Sequence, residues 1–376
     1  MVESHHRAGR YVRQPTGYRA FIPRPLPPDP PLNEAEFVEL LADASAAVER
    51  LDSMAALPDA SRCVAMFIRR EAAMSSRIEG LQSSLDDILV FEADPDAAHL
   101  RLDAREVHNC ALALEHGIER LDSLPLSNRL LREMHFVLMD GLEDRERWPG
   151  EFRRSQNWIG PPEATLREAV FVPPPPAEVP DAMSDLEKFL HAEDFPPLVQ
   201  AALAHAQFEI IHPFVDGNGR IGRLLIDLLL RHRGALRQPL LGLSDYLYRF
   251  RGMYQDQLTA VHQQGDWEGW VAFFLRAASA AARQSAEIGM QALQLWEQDR
   301  EKIAGVADGP RILDQLYRVP VVTIDGLAER LDMTPADAGA LVRHLEELGI
   351  LSNLYGQIYR YEAYVRLFRS GPVFLL

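Results

Sequence analysis

The sequence predicts a mainly α-helical protein that carries one short extended arm and ends in a small α+β unit. Three observations predict this. Apolar residues recur at helical spacing from Asn33 to about Leu190, and again after Asn218 and from Asp266 to Trp296. Prolines and glycines between Trp148 and Pro180 interrupt the pattern. Residues 310–376 place two short helical patterns before two short β-like runs.

Bulk properties bound the rest. A chain of 376 residues suggests two or three domains, and 47% apolar residues is ordinary for a globular protein. A net charge of −16 argues against the whole chain being a nucleic-acid binder. Cys63 and Cys110 fall in apolar helical patterns, without metal-type spacing, and are expected to be buried thiols in a reducing compartment. Met1–Tyr18 has no apolar signal core, and no run of about 18 apolar residues occurs. A cytoplasmic protein without membrane contact is expected.

Taken in order, residues 1–33 are Pro-rich (Pro23, Pro25, Pro27, Pro28, Pro30, Pro31) and predict an irregular, extended arm packed on the helices that follow. A helix runs from Cys63 to Glu79, with Gly80 ending it. Val64, Phe67, Ile68, Glu71, Ser75, Ile78 and Glu79 share one face. Two carboxylates on that stripe want partners, and Glu79 in the last turn opposes the helix dipole. The plain alternative is a helix end fraying into water. In the break, Trp148-Pro-Gly, Pro161-Pro162 and Pro173–Pro176 exclude continuous helix, and Arg167–Val172 suits a short strand or hairpin arm. The helix after Asn218 aligns Ile221, Leu224, Leu225, Leu228 and Leu229. Residues 297–309 give the last turns of the next helix and a linker. Then come a helix over Ile324–Leu331 and a second from Thr334-Pro335, with Asp337 as a capping-box partner and Ala338, Leu341, Val342 and Leu345 as its stripe. Runs at Gly349–Leu354 and Gln357–Tyr361 complete a winged-helix pattern.

The chemistry lies in His212-Pro-Phe-Val-Asp-Gly-Asn-Gly-Arg-Ile-Gly-Arg223. Glycines beside an Asn at a helix start let the backbone approach a ligand, and the helix N-terminus offers free N–H groups and partial positive charge. That is an anion site, most naturally for phosphate. Arg220 and Arg223 add positive charge where the helix dipole disfavours it, which a phosphate would explain. Asp216 supplies a hard oxygen of the kind Mg²⁺ takes together with substrate phosphates. His212 supplies a base that titrates near working pH. Together they form a kit for phosphoryl or nucleotidyl transfer. Gly217-Asn-Gly219-Arg-Ile-Gly222 also matches the dinucleotide fingerprint, with Asp245 at a suitable distance, but the surroundings are helical rather than βαβ.

This segment resembles the Fic motif, H-x-F-x-[D/E]-G-N-G-R-x-x-R, at every fixed position. The resemblance extends to Pro149–Arg153, Asn157–Gly160, a flap at Ala169–Pro174, and Ser244, Tyr246, Arg251 and Tyr254, with Gln255 where the family often has a second Tyr. It covers most of residues 20–280. It implies a Fic-type helical core with a short β-hairpin flap and a small C-terminal winged-helix (α+β) domain. The expected organisation is an N-terminal arm and inhibitory helix over 1–115, a catalytic core over 116–280, a helix and linker over 281–309, and the winged helix over 310–376.

The resemblance also implies roles. AMP would pass from ATP to a Ser, Thr or Tyr hydroxyl of a target protein, with Mg²⁺ (or Mn²⁺) bound. His212 would take the hydroxyl proton, Phe214 anchor the loop and Asp216 hold the metal. Gly217, Asn218, Gly219, Arg220, Gly222 and Arg223 would bind phosphates, and Tyr254 the nucleotide. Val170, Phe171, Val172 and Pro173 would meet the target. The related Doc type, which phosphorylates, has Lys where this chain has Gly219. Ser75-x-x-x-Glu79-Gly80 resembles the family's inhibitory motif, in which Glu79 would pair with Arg223. Two other readings stay open: AMP removal through Glu79, and a DNA-binding regulator with a Fic sensor core. Residues 310–376 hold seven basic and eight acidic residues, which favours a protein-docking or homodimer role for that unit over DNA.

Overall fold

The computed structural model describes residues 5–56, 60–97, 100–142, 148–160 and 165–369. The Pro161-Pro162 turn and Met1–Ser4 lie outside the described residues.

The centre of the molecule is set by composition. Helix α7 (Pro197–Ile211) has 13 of its 15 residues buried, so it cannot be an amphipathic surface helix and must be surrounded. α8 (Asn218–His232) packs against it, as do α6 (Val179–Leu190) and the 36-residue α11 (Trp267–Lys302). Trp270 of α11 is fully buried and donates its indole N–H to Ala202 O at 2.8 Å. α1 (Val38–Ala55) lies along α11. α2 (Val64–Ile78) is flanked by α4 (Ala104–Leu121), α9 (Leu243–Arg249) and α3 (Leu85–Ala93). α5 (Asn128–Leu138) and α10 (Arg251–Gln264) complete the core. Both cysteines are buried free thiols, and burial pushes Cys63 up to about 11 and Cys110 to about 12.

One expectation needs correction, and the structure adds detail to two others. The N-terminal arm is not irregular: β1 (His5–His6), β2 (Gly9–Arg13) and β3 (Arg19–Pro23) form an antiparallel sheet in chain order. A turn closed by Gly17 N to Gln14 O, with Gly17 at φ +98°, sets its register, and Phe21 fills the space beneath. The prolines that suggested an irregular arm fall mostly after β3. The boundaries at 115 and 280 fall inside continuous helices, α4 and α11. Within residues 310–376 the C-terminal unit holds more elements than the pattern showed. α12 (Gly309–Arg318), β4 (Val321–Thr323) and α15 (Glu362–Arg369) join α13 (Ile324–Leu331), α14 (Pro335–Glu347), β5 (Ser352–Tyr355) and β6 (Ile358–Arg360), with strand order β4-β6-β5. Thr334 caps α14 by accepting from Asp337 N, as its sequence predicts.

The C-terminal unit leans on α2 and α3. Phe368 meets Phe67 edge to face at 5.1 Å, Arg70 Nε donates to Phe368 O at 3.2 Å, and Arg360 and Arg369 pair with Asp86. Among the described residues no helix is long and apolar enough to cross a membrane.

Candidate active site

α7 ends where the chemistry begins. His212 closes it in the left-handed conformation (φ 50°, ψ 61°), so the chain leaves the helix sharply. Phe214 is fully buried and stacks on the His135 ring at 3.9 Å and 4°. The Asn218 side chain brackets this residue, accepting from Phe214 N at 2.8 Å and donating to Phe214 O at 2.9 Å. Gly217 then takes φ +72° to start α8, whose N-terminus has no side-chain cap. Gly217, Asn218 and Gly219 at this start line a cavity of about 730 Å³.

That cavity gathers most of the expected residues. His212, Asp216, Gly217, Asn218, Gly219, Arg223, Glu79, Tyr254, Val170 and Phe171 line it. One stripe of α10, from Arg251 through Tyr254, Gln255, Leu258 and Thr259 to His262, forms a wall at i, i+3 and i+4 spacing. Burial, then Arg153, push the His212 ring down to about 4, so it is neutral at pH 7.

Glu79 lies across the start of α8. Its Oε1 accepts from Arg223 at 2.8 Å, and its Oε2 is 2.8 Å from Arg220 Nε. Arg223 also donates to Ser75 Oγ at 2.8 Å and Ser75 O at 3.0 Å. Burial opposes the charge on Arg223, but Glu79 raises its pKa all the same. A Cβ on Gly219 would lie 2.5 Å from Glu79 Oε1, so this glycine gives the carboxylate its seat. Glu79 thus sits over the first turn of α8, held there by two arginine side chains.

Residues 125–230 match the Fic/DOC family, and residues 38–119 match the N-terminal part of the same family. The two regions together span half of the sequence. The chain belongs to the Fic/DOC family. It is similar to the protein adenylyltransferase Fic of Drosophila ananassae, with 33% identity over 138 residues, 34% of this chain and 25% of that protein. It is also similar to the protein adenylyltransferase Fic of Drosophila melanogaster, with 36% identity over 129 residues, 34% of this chain and 22% of that one. The chain spans about a quarter of the length of these curated relatives. A Fic family protein from Desulfovibrio desulfuricans G20 shares the fold, with a TM-score of 0.58 at 24% identity over 87% of this chain and 95% of that one.

Several Fic-motif residues sit differently from the expectation. Gly222 is outside the cavity lining; it lets α7 approach α8, where a Cβ would lie 2.9 Å from Phe208. Arg220 is also outside the lining and is held by Glu79, Glu106 and Asp216. The Asn218 side chain is spent on closing the loop, so only its backbone can serve a ligand. Val172 and Pro173 lie behind the cavity rather than facing it. Phe21 N donates to Val172 O at 2.8 Å, and Gln156 donates to Pro173 O. The flap is a bridge between Ile159 and Phe171, with Trp158, Ile159 and Val170 exposed at its rim.

Sequence reasoning missed His135 and gave Arg153 no role. His135 donates from Nε2 to Asp216 O and accepts Gly150 N at Nδ1; burial lowers it to about 4 and keeps it neutral. Arg153 donates to His212 O at 2.8 Å and Pro174 O at 2.5 Å, tying the motif to the flap. Nothing local marks a helical His as a loop support, although Arg153 stood in the family-like stretch.

α2 is fastened so that Glu79 is presented. Arg70 pairs with Asp245 at 2.8 Å, and Glu71 accepts from Ser244 N at 3.1 Å. Asp245 therefore belongs to this clamp and not to a ribose site. Both partners of the Arg70–Asp245 pair are almost fully buried. Asp245→Ala should cost about 3–5 kcal/mol, because it leaves a buried guanidinium without its carboxylate. Denaturant unfolding measures this; a loss below about 1 kcal/mol would contradict it.

Proposed function

We propose that this protein is an adenylyltransferase that moves AMP from ATP to a Ser, Thr or Tyr hydroxyl of a target protein, held in check by Glu79. The observation that carries this is one cavity shared by a neutral His212, an uncapped helix N-terminus and Arg223. The target hydroxyl attacks the α-phosphorus, the bond from that phosphorus to the bridging oxygen breaks, and pyrophosphate leaves with that oxygen. His212 takes the hydroxyl proton. Fixed N–H groups and Arg223 hold the phosphates in line, so positioning and charge supply most of the rate.

Mg²⁺ fits this site through Asp216, a partly exposed carboxylate at the cavity edge. Among the described residues no group of three candidate ligands gathers, so phosphate oxygens would complete the shell, as is common for Mg²⁺. The ion, or Mn²⁺ in its place, would neutralise phosphate charge.

Both Glu79 oxygens are engaged by arginines, which favours a brake over a base for AMP removal. In the C-terminal unit Arg360 is tied to Asp86 and His344 sits by Glu347, so a basic face for DNA is not favoured. The direct test is incubation with ATP labelled at the α-phosphate, followed by mass spectrometry for AMP on a hydroxyl. Transfer of label from γ-labelled ATP but not from α-labelled ATP would point to phosphorylation instead. Nitrogen-15 NMR should also find the His212 ring neutral from pH 7.5 to 5.5. A midpoint near 6.5 would remove the argument for a ready base.

A further inference from the structure

The cavity holds a carboxylate to which the reaction above gives no task. Glu209 lies on α7 one turn before His212 and lines the cavity. Its Oε1 is buried and accepts no hydrogen bond among the described residues. It has no room to retreat: a Cβ on Gly222 would lie 2.7 Å from that oxygen, so the backbone of α8 closes the space behind it. The cation within its electrostatic reach, Arg223, is committed to Ser75 and Glu79. Burial raises the Glu209 carboxyl to about 7, against the pull of Arg223. A buried polar oxygen is costly unless something donates to it. The open direction is the cavity.

If the cavity takes a nucleotide, the bare Glu209 oxygen attracts hydroxyl or amino donors, and the charged form of the group repels phosphate oxygens. The phosphate half already has its own station at the start of α8. We propose that Glu209 is a specificity-determining residue that accepts a hydrogen bond from the nucleoside half of ATP, from a ribose hydroxyl or the base amino group. This rests on the nucleotide reading given above. A site built around an acceptor discriminates sharply against a ligand that lacks the matching donor.

The test compares the Glu79→Gly protein with the Glu79→Gly, Glu209→Leu double variant. Calorimetric affinity and kcat/KM are measured for ATP, 2′-deoxy-ATP, 3′-deoxy-ATP and inosine triphosphate, which carries oxygen in place of the amino group. With Glu209 present, one analogue should lose about tenfold or more against ATP. That analogue identifies ribose or base as the donor. In the double variant ATP should fall to the level of that analogue. Glu209→Gln, close in shape, covers the case in which the leucine variant does not fold, and should narrow the discrimination. Equal use of all four nucleotides, or discrimination unchanged by either substitution, overturns the proposal. A uniform loss for every nucleotide would mean that Glu209 acts on Arg223 instead, and overturns it too. If the Glu79→Gly protein neither binds ATP nor transfers AMP, the nucleotide reading itself falls and takes this inference with it.

Discussion

His212→Ala should lower AMP transfer by about 10²–10⁴-fold, the range a positioned general base contributes, while ATP affinity changes little. The separation follows from the geometry. The ring sits at the C-terminal end of α7, whereas phosphate would be held by the start of α8 and Arg223, on the far side of the Phe214 anchor in the chain. Removing the imidazole leaves Arg153 still bonded to the His212 backbone oxygen and Asn218 still bonded to Phe214, so the loop should keep its shape. The measurement pairs AMP incorporation with nucleotide binding by calorimetry. A variant that labels its target near the wild-type rate would remove His212 from the mechanism. A variant that loses binding and rate together would place the ring in the nucleotide site rather than at the acceptor hydroxyl.

Glu79→Gly should act in the opposite direction and raise AMP incorporation about tenfold or more, equivalent to about 1.4 kcal/mol of released inhibition. The carboxylate now sits at the helix N-terminus, 2.8 Å from both Arg223 and Arg220. A terminal phosphate would need the same arginine and the same end of the helix. On the proposed function, ATP beside Glu79 would enter only in a pose that leaves the α-phosphorus misaligned, and small misplacement costs about a hundredfold. The substitution should also cost stability, because two buried arginines lose a partner. The loss should be smaller than for a fully buried pair, since Glu79 is about a quarter exposed and Arg220 keeps Glu106. Arg223→Ala should not copy the gain, because it removes the phosphate ligand together with the brake. The three proteins are compared by label incorporated per minute and by thermal unfolding. A folded Glu79→Gly protein that binds ATP and labels no faster than wild type would end the autoinhibition argument.

The sequence alone determined the helical class and the anion-site loop, and it set Glu71 and Glu79 on an apolar stripe where carboxylates want partners, with a frayed helix end as the open alternative. These are local properties. Apolar spacing marks a helix, glycines before a helix mark an anion seat, and a carboxylate on an apolar stripe demands a cation or donor wherever it lands. What the tertiary structure alone decided is which groups answer those demands. Glu71 is answered by Ser244, and Glu79 by two arginines rather than one. The Arg220 side chain, legible as a phosphate ligand from spacing, and the Asn218 side chain, given that role by the Fic resemblance, are engaged by Glu106, Glu79 and Phe214, because most buried polar groups find a partner nearby. Although the equally short α13, β5 and β6 were legible in the sequence, the N-terminal sheet and α15 escaped it. Their stability comes from contacts made far along the chain, Phe21 with Val172 and Phe368 with Arg70, and no local pattern encodes those.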